Sequence, residues 1–342
     1  MSSAVRAAPS RDAGERARRQ LPRRLWSGVG GQFGRGGRGG IGKPGRRGAV
    51  LRGPALLLAP GLAVIALITG WPLVRLVVMS FQEFGRAQIF GAPPKFVGLD
   101  NYINVLTDSA FWAVLGRSLL LCVACVVATM GLGVAVAVLM TGLNRATRGL
   151  VSIGLLLAWA MPPLSATTIW GWLFDTRRGL VNHLITQYTS ADFTGHSWLN
   201  NTISFYFVAT VIITWQSVPF VAFTTYAALT QVPSEVLEAA SLDGASGWQR
   251  FRRIVVPYIR AVLVVLLVLQ IIWDMRVFVQ IYTLQTIGGI REDTNTIGVY
   301  IYIVSTAGGD LGSGGAIAVL LVIIMLAMSG YYVRRVLREE GI

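Results

Sequence analysis

The sequence predicts an all-α membrane protein of six transmembrane helices with both termini in the cytoplasm, and three observations predict it. Of 342 residues, 54% are hydrophobic and only 13% charged, and the mean hydropathy of +0.59 excludes an ordinary soluble domain. Apolar runs long enough to cross a bilayer, about 20 residues each, lie at 54–82, 111–140, 149–174, 202–230, 258–286 and 312–337. Lysine and arginine are distributed unevenly between the two sides that six spans create. One side holds 22 of them, and the other holds five: Arg86, Lys95, Arg177, Arg178 and Arg291. The basic side is the cytoplasmic one.

The first element, residues 1–53, carries 13 basic groups and two acidic ones, Asp12 and Glu15. Its Gly28–Gly48 stretch is rich in Gly and Arg and poor in apolar residues, so a disordered basic cytoplasmic tail is expected, resting near anionic membrane lipid. Most of the formal +14 charge sits there. With Trp26 and Phe33 as its only aromatics, the tail lacks the stacking groups of a nucleic-acid binder, and no nucleic-acid partner is expected. It is also too long and too charged for a cleaved signal peptide.

Residues 54–342 form the membrane domain. Pro60 and Pro72 interrupt its first span, Met161-Pro162-Pro163 its third and Pro219 its fourth. Such kinks survive in a membrane where neighbouring helices or a wet cavity satisfy the freed backbone groups.

Between the fourth and fifth spans lies a polar hairpin, 231–257. Pro233 suits a first helical turn, and Glu235 through Ala240 are helix-compatible. Asp243-Gly244 is a turn dipeptide in which glycine permits positive φ, and Ser246 is placed to cap a second short helix from Gly247 to Val255. Ala239 and Ala240 leave a narrow face open to close approach by a partner.

Polar groups inside the spans mark where a solute path is expected. Asp274 is the one acidic residue well inside an apolar run, and a carboxylate there costs about 2.5–3.5 kcal/mol on insertion scales. Gln270 lies one turn earlier on the same face. Gln216 and Ser217 precede the Pro219 kink, with Phe220 just beyond, and Ser165, Thr167 and Thr168 follow the double proline, ahead of Trp170 and Trp172. Hydroxyl-directed hydrogen bonds with aromatic rings suit a carbohydrate. Cys122 and Cys125, three apart in an apolar helix, read as small hydrophobes, and His183 and His196 have no clustered ligands, so no metal or cofactor is expected. The sequence contains no phosphate-binding G-x-x-x-x-G-K-[ST], no G-x-S-x-G and no H-E-x-x-H. An enzyme is therefore not expected, and a pump containing this chain must take its ATPase from elsewhere.

The hairpin Glu238-Ala239-Ala240-Ser241-Leu242-Asp243-Gly244-Ala245, with Ile254 and Pro257, resembles the E-A-A-x-x-x-G-x9-I-x-L-P signature of bacterial ABC importer permeases, departing only at Val256. Asp243, Ala245 and Phe251 also match the carbohydrate-importer version. Phe96-Val97-Gly98-Leu99-Asp100-Asn101-Tyr102 is similar to the F-x-G-L-x-N-Y element ahead of the second span in sugar-importer permeases, and Gly312 to Ala318 is similar to the entry of their last span. The chain thus resembles the maltose-type uptake family over nearly all its length after residue 53.

That resemblance implies the type I importer permease fold and a heterodimer with a second permease. It further implies two cytoplasmic ABC ATPase subunits, an extracytoplasmic sugar-binding protein, and a bacterial cell membrane as the location. It assigns ATPase coupling to Glu238, Ala239, Ala240, Asp243, Gly244, Ala245, Ile254 and Pro257. Carried over from the hairpin without gaps, the family's sugar contacts fall on Gln216, Ser217, Phe220, Gln270, Asp274 and Val277, and near Ala166 between Ser165 and Thr167. Ile213 and Val277 are apolar where the maltose member is polar, and Thr286-Ile287-Gly288-Gly289-Ile290 replaces the usual T-G-G-G-P. A permease for a glycerophosphodiester or polyamine is the alternative within transport. A membrane scaffold is the alternative outside it, and that reading predicts apolar residues at 270 and 274.

Overall fold

The structure, a computed structural model, describes residues 52–339. The expectation for the basic tail falls on residues outside that range. The chain divides into two units, 1–63 and 64–342. The described residues are nearly all helical. Helix α1 (Arg52–Ile65) contains Pro60, and a π-turn at Ala66–Gly70 joins it to α2 (Trp71–Ser80). Pro72 explains the widened turn, since its ring crowds the carbonyl four residues back. Leu57–Ser80, 24 residues, is long and apolar enough to cross a membrane.

A small antiparallel pair, β1 (Gln82–Glu83) with β2 (Lys95–Phe96), brackets the short helix α3 (Arg86–Ile89), the one departure from all-α among the described residues. Helix α4 (Asp100–Thr107) follows. Its Asn101 amide donates to the Ser80 and Gln82 carbonyls at 3.0 and 2.9 Å, and the Tyr102 and Ser80 hydroxyls lie 2.6 Å apart. The F-x-G-L-x-N-Y element is therefore a clamp on the end of α2, turned by Gly98 at φ +61°.

Helix α5 (Ser109–Gly142) is a 34-residue rod capped by Asp108, whose carboxylate accepts from the Ala110 N–H. Phe111, Val114, Ser118, Cys122, Cys125, Thr129, Gly133, Ala137 and Met140 recur at helical spacing and are buried. This stripe packs along α9 (Thr202–Leu229), a 28-residue helix capped by Asn201. A Cβ on Gly133 would stand 2.6 Å from Val221 Cγ1, so glycine sets the closest approach of the two helices. Gly133→Leu is accordingly expected to lower the stability of the purified protein by roughly 1–3 kcal/mol through overpacking. Gly131→Leu, which meets nothing within 4 Å, serves as the control. Equal thermal unfolding midpoints in the two variants would contradict this account of the α5–α9 seam.

The third span is two helices, α6 (Arg145–Ala160) and α7 (Pro163–Leu173), bent by 103°. Each proline forces its predecessor into extended backbone, and Met161 and Pro162 have ψ of 127° and 137°. What reads as a kinked span at 149–174 is thus a sharp break. Helix α8 (Leu180–Tyr188) sits in the loop that follows. There Asn182 donates to the His196 carbonyl at 2.9 Å and accepts from Trp198 Nε1 at 2.6 Å, beside a stack of Phe174, Phe193, His196 and Trp198. The backbone N–H groups of Arg178 and Arg177 hold the Asp175 carboxyl below its ordinary pKa range.

After α9 come α10 (Ser234–Leu242), α11 (Gly247–Arg250), a π-turn at Phe251–Val255 and α12 (Val256–Tyr258), then α13 (Arg260–Met275) and α14 (Val279–Ile287). The fifth apolar run, expected at 258–286, is shifted toward the hairpin: α13 forms a span with the Gly247–Tyr258 segment before it, stops at Met275, and the chain restarts as α14 at Val279. No proline or glycine lies at that break. Tertiary contact holds it instead, because Thr296 Oγ1 donates to the Val277 carbonyl and Gly298 packs against that same oxygen. Helices α15 (Arg291–Thr294) and α16 (Ile297–Tyr302), a π-turn at Ile303–Ala307 and the last span α17 (Leu311–Glu339) complete the chain. Gly312 and Gly314 press against Gln82 and Ser305 at the entry to α17. Four helices are long and apolar enough to cross a membrane, and six spans result when two bent pairs each count as one: α6 with α7, and the Gly247–Tyr258 segment with α13, bent by 73°.

Candidate coupling hairpin and polar cluster

The hairpin is built entirely from local signals. Helix α10 begins after Pro233, which takes the capping position instead of the first turn, and ends in a Schellman turn. The Ala245 N–H donates to the Ala240 carbonyl at 2.9 Å and the Gly244 N–H to that of Ser241 at 3.1 Å, with Gly244 at φ +80°. Ser246 and Gln249 then close a reciprocal capping box at the start of α11, with bonds of 2.8 and 3.3 Å. Glu238, Ala239 and Asp243 are exposed, Ala240, Ala245 and Ile254 half-buried, and Pro257 exposed behind the π-turn. Leu242 and Trp248 stand 90% and 67% exposed at the tip, apolar side chains without cover in this chain. Trp248 stacks on Phe251 with ring centres 5.7 Å apart. The result is a stiff finger with a sticky end.

The second cluster gathers where the α6–α7 break and the α13–α14 break meet α9. Gln216 donates through Nε2 to the Met161 carbonyl, an oxygen freed by the α6–α7 break, at 3.3 Å. Gln280, just past the α13–α14 break, donates to Gln216 Oε1 at 3.0 Å. Phe220, one turn after Gln216 on the same face, meets Trp273 edge-on with ring centres 5.0 Å apart. Gln216, Ser217 and Phe220 are half-buried and Trp273 is 39% exposed.

Other expected path residues lie elsewhere. Gln270 and Asp274 are 1% and 4% exposed, with Gln270 Nε2 donating to Asp274 Oδ1 at 2.9 Å and Asp274 Oδ2 unpartnered. They face inward toward α5, where Cys122 contacts the Ile271 carbonyl. Thr167 is fully buried and bonds back to the Pro163 carbonyl at 2.8 Å, while Ser165 is exposed. Sequence reasoning passed over Gln280 and Trp273. An amide in an apolar run was the available signal for Gln280.

Broken apolar helices converging on amides and rings, with a self-capped finger extending from the bundle, define a membrane transport component. Residues 129–339 match the family described as "Binding-protein-dependent transport system inner membrane component", and the chain belongs to that family. It is 42% identical over 290 residues to the diacetylchitobiose uptake system permease protein DasB of Streptomyces coelicolor, covering 84% of this chain and 87% of the relative. It is 29% identical to the trehalose/maltose transport system permease protein MalF of Thermococcus litoralis, covering 82% and 92%. Among solved structures, a chain of the bacterial ABC transporter involved in import of the acidic polysaccharide alginate superposes with a TM-score of 0.69. At 18% identity, over 84% of this chain and 97% of that one, it shows a shared importer-permease fold. The chain is therefore a multi-pass permease subunit and not itself an enzyme.

Proposed function

We propose that this chain forms half of the translocation path of a carbohydrate importer. The observation that carries the reading is the junction of the α6–α7 and α13–α14 helix breaks on Gln216. Helix breaks expose backbone acceptors that hydrated solutes use, and here they adjoin two glutamine amides and the Phe220–Trp273 pair. Amides pair with hydroxyls, and ring faces accept the apolar faces of a pyranose. The relatedness to a diacetylchitobiose permease supports a sugar of disaccharide size.

In this reading Gln216, Ser217, Phe220, Trp273 and Gln280 line the path, and Gln270 with Asp274 stand behind it as internal support. A second permease supplies the other half, an extracytoplasmic binding protein delivers the sugar, and two cytoplasmic ABC ATPases grip the Glu238–Gly244 hairpin. Leu242 and Trp248 give that grip its apolar contact. The Lys/Arg asymmetry supports a cytoplasmic hairpin and cytoplasmic termini in a bacterial cell membrane.

The test is uptake by the assembled complex in proteoliposomes, with labelled chito- and malto-disaccharides against sn-glycerol 3-phosphate and putrescine. A disaccharide is expected to be taken up with ATP hydrolysis. Uptake restricted to the phosphate or the polyamine would refute the carbohydrate reading while leaving the permease assignment standing.

A further inference from the structure

Away from the polar cluster, an open cleft of about 480 Å³ lies between α5 and α9 near the ends at which both helices begin. Its walls are Leu120, Leu121 and Ala124 from α5 and Ile203, Tyr206 and Phe207 from α9. Leu120 is 74% and Ile203 82% exposed. Within the membrane this surface meets hydrocarbon, so an apolar occupant fits it.

One cation lines the cleft. Arg117 is two turns into α5, about 12 Å along the rod, and its Nη1 donates to the Glu292 carbonyl at 2.7 Å. That acceptor and the Tyr206 hydroxyl, which Arg117 also bonds, are neutral, so they orient the guanidinium without cancelling its charge. A charged side chain at this depth is expensive unless it reaches the headgroup layer or an anion. Thr202, the first residue of α9, lies on the same cleft and marks the level at which the helices leave the apolar layer.

We propose that this cleft is a phospholipid site, in which one acyl chain lies between α5 and α9 and an anionic headgroup phosphate pairs with Arg117. The charge argues for an anionic lipid over a second protein helix, because an apolar helix leaves Arg117 uncompensated in hydrocarbon. Arginine also grips phosphate with two parallel N–H donors. The site lies on the same helix pair as the Gly133–Val221 seam, toward the start of both helices, so a bound lipid fills a gap at the open end of the α5–α9 contact. Nothing in this inference depends on which solute the protein carries.

The full chain is to be reconstituted in nanodiscs of phosphatidylcholine doped with phosphatidylglycerol and released for native mass spectrometry. The wild type is expected to retain phosphatidylglycerol well above its share of the bilayer. Arg117→Gln should bring retention down to that share, and Arg117→Lys should keep part of it. Ala124→Phe fills the cleft from an exposed position without touching Arg117 or the buried stripe, and should abolish retention with the fold intact. Equal retention in all four proteins means ordinary annular lipid and overturns the site. Equal retention of both lipid types, lost only in Ala124→Phe, overturns the role of the charge. Unchanged retention in Ala124→Phe with loss of a co-purifying permease subunit marks a protein seat and overturns the proposal.

Discussion

In the assembled transporter, Gly244→Val is expected to cut sugar uptake strongly while leaving membrane insertion and basal ATP hydrolysis near wild type. Gly244 sits at φ +80°, and a Cβ placed there meets nothing within 4 Å. The penalty is therefore one of backbone conformation alone. A left-handed residue with a side chain costs about 1–2 kcal/mol, and β-branching makes the position a true outlier. An energy of that size shifts a local equilibrium roughly five- to thirtyfold. Losing the turn releases the two bonds from Ala245 and Gly244 that fix the angle between α10 and α11.

A graded series is the sharper measurement. Gly244→Asn should be nearly silent, since asparagine tolerates positive φ, Gly244→Ala intermediate, and Gly244→Val severe. Glu238→Lys reverses an exposed charge without altering the turn and is expected to uncouple by a separate route. Full ATP-coupled uptake in both Glu238→Lys and Gly244→Val would remove the hairpin from coupling.

The second large effect separates residues proposed to line the path from residues proposed to support it. Gln216→Ala is expected to raise the apparent KM for sugar while the complex assembles normally. A lost amide–hydroxyl bond is worth about 0.5–1.5 kcal/mol, roughly two- to tenfold in affinity. Asp274→Ala should act differently. Its carboxylate is 4% exposed and holds Gln270, so removal strands a buried amide and destabilises the chain by about 1–3 kcal/mol. Lower yield and a lower unfolding midpoint, with unchanged KM in the surviving protein, are the expected readout. A raised KM at full stability in Asp274→Ala would place that carboxylate on the sugar instead.

The contrast between these residues shows what the sequence could reveal. Most of the hairpin was readable because its Ser246 cap, αL glycine and turn are short-range chemistry, although Pro233 caps α10 instead of entering its first turn. The spans were readable from hydropathy, and the α6–α7 break from its double proline, though not its 103° sharpness. The gap at Arg276–Phe278 left no local mark, since it is imposed by Thr296 and Gly298, some twenty residues downstream. For Gln270 and Asp274 the shared helical face was correct, but its direction was not legible. In a helix apolar all round, no gradient of polarity tells inside from outside. The polar pair turned out to face α5, while Trp273 on a neighbouring face of α13 and Gln280 on α14 stand at the Gln216 cluster.

In the proposed path, the Gln280–Gln216–Met161 chain has a thermodynamic consequence for the empty protein. Each amide already holds a partner, so an arriving sugar exchanges one hydrogen bond for another and gains little enthalpy on entry. Weak occupancy follows, with a short residence time. A conduit benefits from both, because a solute held tightly at the middle of its route has to be prised out again on the far side. Selectivity then falls to whatever hands the sugar over, and this chain contributes a passage whose vacant state is almost as comfortable as its loaded one.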